Sequence, residues 1–259
     1  MKRHYSDSLE YETFEAFDKL GIPHAIFTRK GGVSPAPWAS LNLGGTVGDE
    51  LDRVRENRLK AFRALHFSIE KSFDVWQVHS AKVISIEQPR DQTLPYIQAD
   101  GIVTNQPGIV LFMRFADCVP ILLVDPIQKA IGIVHAGWKG TVLKIAEVAI
   151  LTMNMKFGSR PADIIAGIGP SIAAHHYPVG KEVLMEAQKN IPQFVSEVSY
   201  SDDDQIYFDL WRANQLILQN CGVKSIELAN QCTACHTDDW FSHRAEKGKT
   251  GRFGVLISL

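Results

Sequence analysis

The most apolar stretch of the chain is its centre. Gly108–Phe115, Val119–Val124 and Ala130–His135 are near-continuous hydrophobic runs. Runs this short without polar alternation read as strands buried on both faces. Asp117-Cys118 interrupts the first pair and Asp125-Pro126 turns the second. Upstream, His24–Thr28 predicts a strand that the glycines and proline of the next segment break. Leu51, Val54, Ala61, Phe62 and Leu65 recur near a helical period, with Asp49 placed to cap the helix. Val75–Ile86 reads as extended chain with His79 embedded in it. Beyond His135, a helix from Thr141 to about Lys156 buries Val142, Ile145, Ala149 and Met153 and ends at Gly158. Ile164–Ile168 predicts a strand running into Gly169-Pro170-Ser171. Helices follow near Lys181–Asn190 and Phe208–Asn220, and Ser225–Ala229 and Gly254–Leu259 read as late strands. Strands and helices alternate, but the early and central strands also come in runs without helices between them. The expectation is an α/β (α+β) chain, one domain over residues 1–259, with a mixed β-sheet and flanking helices.

Composition narrows the function classes. Of 259 residues, 45% are apolar, enough for a sizeable core, and 22% are charged, as in ordinary globular domains. A net charge of −2 lacks the basic excess that nucleic acid or a membrane surface would require. The longest apolar runs are too short to span a bilayer. The first residues carry no apolar export segment, so the expected location is cytoplasmic. Cys118, Cys221, Cys232 and Cys235 are then expected as reduced thiols, metal ligands or nucleophiles.

Three residues suggest chemistry. His79 and Cys118 are 39 positions apart, and Cys118 and His135 are 17 apart. This is no local finger; such ligands meet only if neighbouring strands bring them to one edge. Two imidazoles and a thiolate suit zinc and leave its fourth position for water or substrate. By spacing alone, a core cysteine and two satisfied histidines are the commoner reading of such a triplet.

The segments Phe27-Thr-Arg29-Lys-Gly-Gly-Val-Ser34, Ser40-Leu-Asn42-Leu-Gly44, Gln77-Val-His79, Ala99-Asp-Gly101, Ala116-Asp-Cys118-Val-Pro120, His135-Ala-Gly-Trp-Lys-Gly140, Gly167-Ile-Gly-Pro-Ser-Ile172, Tyr177-Pro-Val-Gly180 and Cys232-Thr233 together resemble a known family. It is the purine nucleoside phosphorylase family formerly called polyphenol oxidase or multicopper laccase, also labelled peptidoglycan editing factor. The resemblance runs from about Phe27 to the C-terminus. It implies a zinc site at His79, Cys118 and His135. It also implies phosphorolysis of adenosine, inosine and methylthioadenosine, with adenosine deamination as a side activity. Its partners would be purine nucleosides and phosphate. One departure is Ser171, where members of the family often carry cysteine.

Phosphorolysis needs an anion held beside a cation-like sugar. Arg29 or Lys30, Lys139, Arg244 and Arg252 are the phosphate candidates, with Asn42 as a further substrate contact. Lys139 opens the helix after His135, where free N–H groups favour anions. Asp117 and Asp100 are candidates for moving protons or orienting ligands, although fixing turns is the commoner job of Asp beside Gly or at a strand end. Trp138, beside His135, could stack on a purine.

Other readings use the same residues. Cys118 with a histidine base would serve a metal-free hydrolase acting on cell-wall precursors. A fourth protein ligand would make a closed, non-catalytic metal module. Nine histidines without one His-x-His pair argue against a coupled four-copper oxidase, although copper could load a His/Cys/His site and oxidise phenols. Cys232-Thr-Ala-Cys235-His236 spells a haem-attachment pattern, but that chemistry requires export. As half of a zinc ribbon it lacks a second Cys-x-x-Cys, which leaves a structural or incidental pair.

Overall fold

The computed structural model describes residues 1–259. In chain order, an N-terminal hairpin of β1 (Lys2–Ser6) and β2 (Leu9–Thr13) is followed by α1 (Glu15–Asp18) and β3 (His24–Phe27). Then come α2 (Leu51–Ala64), β4 (Ser72–Phe73), β5 (Val83–Ser85) and β6 (Gly101–Thr104). The central strands are β7 (Val110–Phe115), β8 (Val119–Asp125) and β9 (Ala130–Ala136), followed by α3 (Trp138–Val142), α4 (Ile145–Phe157) and β10 (Ile165–Ile168). The remainder is β11 (Pro178–Val179), α5 (Lys181–Asn190), α6 (Val195–Val198), β12 (Ser199–Asp202), β13 (Gln205–Phe208), α7 (Leu210–Asn220), β14 (Ser225–Leu228) and β15 (Phe253–Ser258).

The mixed α/β architecture expected from the pattern is present, but the strands divide among three sheets. One six-stranded sheet has the order β1-β2-β3-β15-β7-β4 and a second the order β14-β10-β8-β9-β6-β5. A three-stranded sheet, β11-β13-β12, lies apart from both. Both large sheets are mixed: β4 runs parallel to β7, and β5 and β14 run parallel to β6 and β10, while the other pairs are antiparallel.

Burial explains the continuous apolar runs. Leu122 and Val124 of β8 and Ile131 and Ile133 of β9 join Leu111, Met113 and Phe115 of β7 and Val255 and Ile257 of β15 in one cluster between the large sheets. The alternate residues, Ile121 and Leu123 with Val134 and Ala136, face the other way into a cluster with α4 and α7. On the far side, Phe112 of β7 and Leu256 of β15 pack on Ala61 and Phe62 of α2. The result is four layers: helix, sheet, sheet, helix. Each fully buried Leu, Ile, Val or Phe contributes about 1.5–3 kcal/mol, so the cost of polar substitution is highest in β8 and β9, which carry the site.

Several local expectations need correction. Asp49 does not cap α2; the N-cap is Glu50, without a side-chain bond. Asp49 instead accepts from Ser34 and Asn42 within the preceding loop. The helix after His135 is two helices, because Lys144 sits between them at φ 58. Most of Val75–Ile86 is irregular, and only β5 is strand; His79 itself has φ 59. The N-terminal hairpin and the small third sheet are additional to the elements expected.

Candidate metal centre

Three strand-edge segments of the second large sheet meet at one end. His135 lies on β9, Cys118 immediately precedes β8, and these strands pair with Val119 opposite Ala136 and Pro120 opposite His135. His79 arrives from the irregular segment before β5. The ligand atoms of His79, Cys118 and His135 all lie within 4.8 Å of one another. His135 is buried, Cys118 is half-buried and His79 is exposed, so the cluster opens to solvent on the His79 side. The two imidazole rings meet edge to face, with centroids 4.9 Å apart.

Asp100 organises the cluster. It precedes β6 and is fully buried. Its Oδ1 accepts from the backbone N–H of His79 at 3.0 Å and from Nδ1 of His135 at 2.9 Å. Its Oδ2 accepts from the Ser80 N–H at 2.6 Å and the Ser80 hydroxyl at 2.7 Å. One carboxylate thus fixes the turn carrying one histidine and the ring of the other. With the Nδ1 proton donated to Asp100, Nε2 of His135 presents its lone pair to the cluster, the arrangement that orients imidazole ligands on metals. Gly137 is the other requirement. A Cβ there would lie 3.0 Å from Cys118 Sγ and 3.0 Å from a ring carbon of His79, so any side chain would push two donors aside.

The electrostatics suit a soft cation. Burial alone would push the Cys118 thiol up, but the charges and hydrogen bonds of His135 and His79 outweigh it and bring the thiol down to about 6. Burial likewise disfavours the charged form of His135, yet Cys118 and Asp100 hold it up at about 9. Without metal, the pair is a thiolate beside an imidazolium at neutral pH. The donor set, the spacing and the oriented ring all fit a zinc ion, with His79, Cys118 and His135 as its ligands.

The other candidates divide. Arg252 lies within electrostatic reach of Cys118 and Asp117, and burial lowers its pKa. Its guanidinium donates to the carbonyls of Gly251 at 2.8 Å and Thr250 at 3.4 Å. Arg244 is exposed, lies over the Tyr177 ring at 5.0 Å and donates to the Pro178 carbonyl. Neither arginine is tied to a carboxylate. Arg29 is different: its guanidinium donates to the Ala39 and Thr237 carbonyls and pairs with Glu246 at 3.0 Å. Lys30 is paired with Asp239 and Glu10. Both line a separate open cavity of about 690 Å³ with Ser40 and Glu246, and their charge is already compensated. Lys139 is exposed on a helix of only five residues, its ammonium 5.5 Å from the Trp138 ring.

Asn42 does not present its side chain to a substrate. It is fully buried, donates to Gly44 and Asp49 and accepts from the Gly44 and Arg252 N–H groups. Its amide positions the backbone of Arg252. Asp117, at φ 75, accepts from Thr233 and Ser242 hydroxyls, both at 2.7 Å, and from the Arg244 N–H at 2.6 Å. Those bonds hold the turn that presents Cys118. Tyr177 was not singled out as a side chain from sequence, although its segment was. Burial and the nearby Cys118 push its phenol up, keeping it a neutral donor beside the centre. Nothing in the local pattern of Tyr177 distinguishes it from a core aromatic.

The family model described as multi-copper polyphenol oxidoreductase laccase matches residues 23–259. A protein of Deinococcus radiodurans named purine nucleoside phosphorylase is 35% identical over 93% of this chain and 90% of its own length. A protein of Bacteroides thetaiotaomicron with the same name is 34% identical, with 96% of each chain covered. Among solved structures, the hypothetical protein YfiH of Bacillus licheniformis superposes with a TM-score of 0.90 at 32% identity, covering 98% of this chain and 97% of that one. YlmD of Geobacillus stearothermophilus gives a TM-score of 0.88 at 30% identity, with 98% and 97% covered. With matches of this length in sequence and in fold, the chain belongs to the multi-copper polyphenol oxidoreductase laccase family, and YfiH and YlmD are its structural neighbours.

Proposed function

We propose that the chain is a zinc-dependent purine nucleoside phosphorylase acting on adenosine, inosine and methylthioadenosine, with adenosine deamination as a side activity. The observation that carries this reading is a three-donor cluster open on its His79 side, with two arginines beside it that no carboxylate compensates. The names of the Deinococcus and Bacteroides relatives support the same reading. Three ligands leave one position free, as in catalytic rather than structural zinc sites. When bound, the metal supplies a Lewis acid that polarises oxygen and makes water acidic near neutral pH.

The chain's own residues do the rest. Asp100 holds the Nδ1 proton of His135 and keeps the ring from turning. Arg252 and Arg244 bind the phosphate, and their charge draws it toward the sugar. A phosphate oxygen forms the bond to the anomeric carbon as the carbon–nitrogen bond breaks. The electron pair leaves with the base, which takes up the proton that the attacking hydrogen phosphate gives up as its oxygen joins the carbon. On this reading Asp117 keeps Cys118 in place, and the reaction runs in the cytoplasm. No helix is long and apolar enough to cross a membrane.

A second reading has one specific support. The thiolate–imidazolium pair of Cys118 and His135 is the apparatus of a cysteine hydrolase, which would suit the editing of wall precursors. Copper is the rival occupant on affinity grounds, and phenol oxidation would follow from it. The test is a product assay on metal-quantified protein. Inosine is supplied with and without phosphate, and hypoxanthine and ribose 1-phosphate are followed by chromatography. Phosphate-dependent release that disappears in His79→Ala is the expected result. Zinc-loaded protein inert toward inosine, adenosine and methylthioadenosine would overturn the proposal.

A further inference from the structure

A second group of four metal-binding side chains lies outside the centre described above. His175 and His176 sit on the single turn Ala174–His176, and Cys232 and Cys235 on the loop after β14. Their four ligand atoms all lie within 4.8 Å of one another. His175 Nε2 is 3.2 Å from Cys235 Sγ, and His176 Nδ1 is 3.4 Å from Cys235 Sγ and 3.6 Å from Cys232 Sγ.

These three distances are close to the sulfur–nitrogen edges of a coordination tetrahedron. With zinc–sulfur bonds of ~2.3 Å and zinc–nitrogen bonds of ~2.0–2.1 Å, tetrahedral angles put sulfur and nitrogen about 3.5–3.6 Å apart. A separate observation concerns the thiols. Cys232 is buried and its sulfur accepts the N–H of Ala173 at 3.3 Å. Cys235, close beside it, has its thiol pushed up by burial and by Cys232. Two thiolates this close need a cation between them. Two sulfurs and two imidazoles around a divalent ion give a neutral set, the composition of closed structural zinc sites.

We propose that His175, His176, Cys232 and Cys235 form a second, structural zinc site. Binding displaces the two thiol protons to solvent and leaves a four-coordinate ion with no open position. The two segments it joins already touch: Ser171 bridges Cys232, and the Thr233 N–H donates to the Ser171 carbonyl. Both segments also hold Asp117, through the Ile172 N–H to its carbonyl and the Thr233 hydroxyl to its carboxylate. The second ion therefore braces the turn that presents Cys118. The proposal does not depend on which reaction the first centre performs.

The test counts metal in untagged protein produced with added zinc and purified without chelator. Mass spectrometry is expected to find two zinc ions per chain. The double variant His79→Ala/Cys118→Ser should retain one, and His175→Ala/Cys235→Ser should also retain one. Cobalt substitution gives a readout independent of activity. The His79→Ala/Cys118→Ser protein should show tetrahedral cobalt bands with thiolate-to-metal absorption, lost when Cys235→Ser is added. One zinc per chain in the native protein, and none in His79→Ala/Cys118→Ser that still unfolds cooperatively, would overturn the proposal. So would Cys232 and Cys235 alkylating as freely in zinc-replete protein as after chelation.

Discussion

Asp100→Asn is the sharpest perturbation of the first centre. It keeps the shape of the side chain while removing its charge and one acceptor oxygen. In the native protein Oδ1 serves His79 N–H and His135 Nδ1, and Oδ2 serves the Ser80 N–H and hydroxyl with a longer contact of 3.3 Å to Val78 N–H. Whichever oxygen becomes NH₂, at least two donors lose their acceptor. A buried donor left unpaired costs about 1–3 kcal/mol, so the folded chain should lose about 2–6 kcal/mol. If NH₂ faces His135, the ring must also move its proton to Nε2, the nitrogen that zinc requires. Loss of an outer partner of this kind weakens metal binding about 10–100-fold, equivalent to about 1.4–2.7 kcal/mol. Urea unfolding of chelator-treated protein measures the first effect, and zinc competition against a chromogenic chelator the second. An Asp100→Asn protein with unchanged zinc affinity and an unchanged urea midpoint would show that the carboxylate does not organise the cluster.

Three further outcomes are expected. Gly137→Ala places a methyl 3.0 Å from both Cys118 Sγ and the His79 ring; zinc affinity should fall by about tenfold or more with little loss of helix content by circular dichroism. Arg252→Ala should raise the KM for phosphate by about tenfold or more, as loss of a charge-assisted bond implies, while the inosine KM moves little; equal rises in both would remove Arg252 from the phosphate site. In metal-free protein, Cys118 should alkylate with a midpoint near pH 6, thiolate forming above it, and His135→Gln should move that midpoint up; peptide mass spectrometry separates Cys118 from the other thiols. Stability is the wrong readout for that pair. The lowered Cys118 pKa makes a contribution that is full above 9 and lost as pH falls through 6, whereas the raised His135 pKa makes one that is full below 6.5 and lost as pH rises through 9. Between about 6.5 and 9 the two slopes oppose and cancel.

Much of the chain's organisation was written in local pattern. The central strands, the end of α4 at Gly158 and the whole of α5 follow from hydrophobic period and helix-stop residues, because burial on two faces and left-handed backbone both leave marks in one segment. The helix break at Lys144 does not, since a lysine is not a residue type whose presence signals positive φ. The candidate ligands were nameable from residue type and motif, but their meeting depends on β8 pairing with β9 and on Asp100 gathering His79 and His135 from separate segments. Which charges are free was hidden altogether. Arg29 and Arg252 look alike in sequence, and only the Glu246 carboxylate beside one of them separates the two. Asn42 likewise reads as a polar motif residue, yet it is consumed by its own loop and the Arg252 backbone. The same limit applies to Cys232 and Cys235, whose partners lie on a turn about 60 residues away in the chain. Sequence alone fixes where strands and helices can form and which side chains can carry chemistry, since those depend on near neighbours. Pairing, burial and charge compensation join residues distant in the chain, so the tertiary structure alone decides which of those side chains meet.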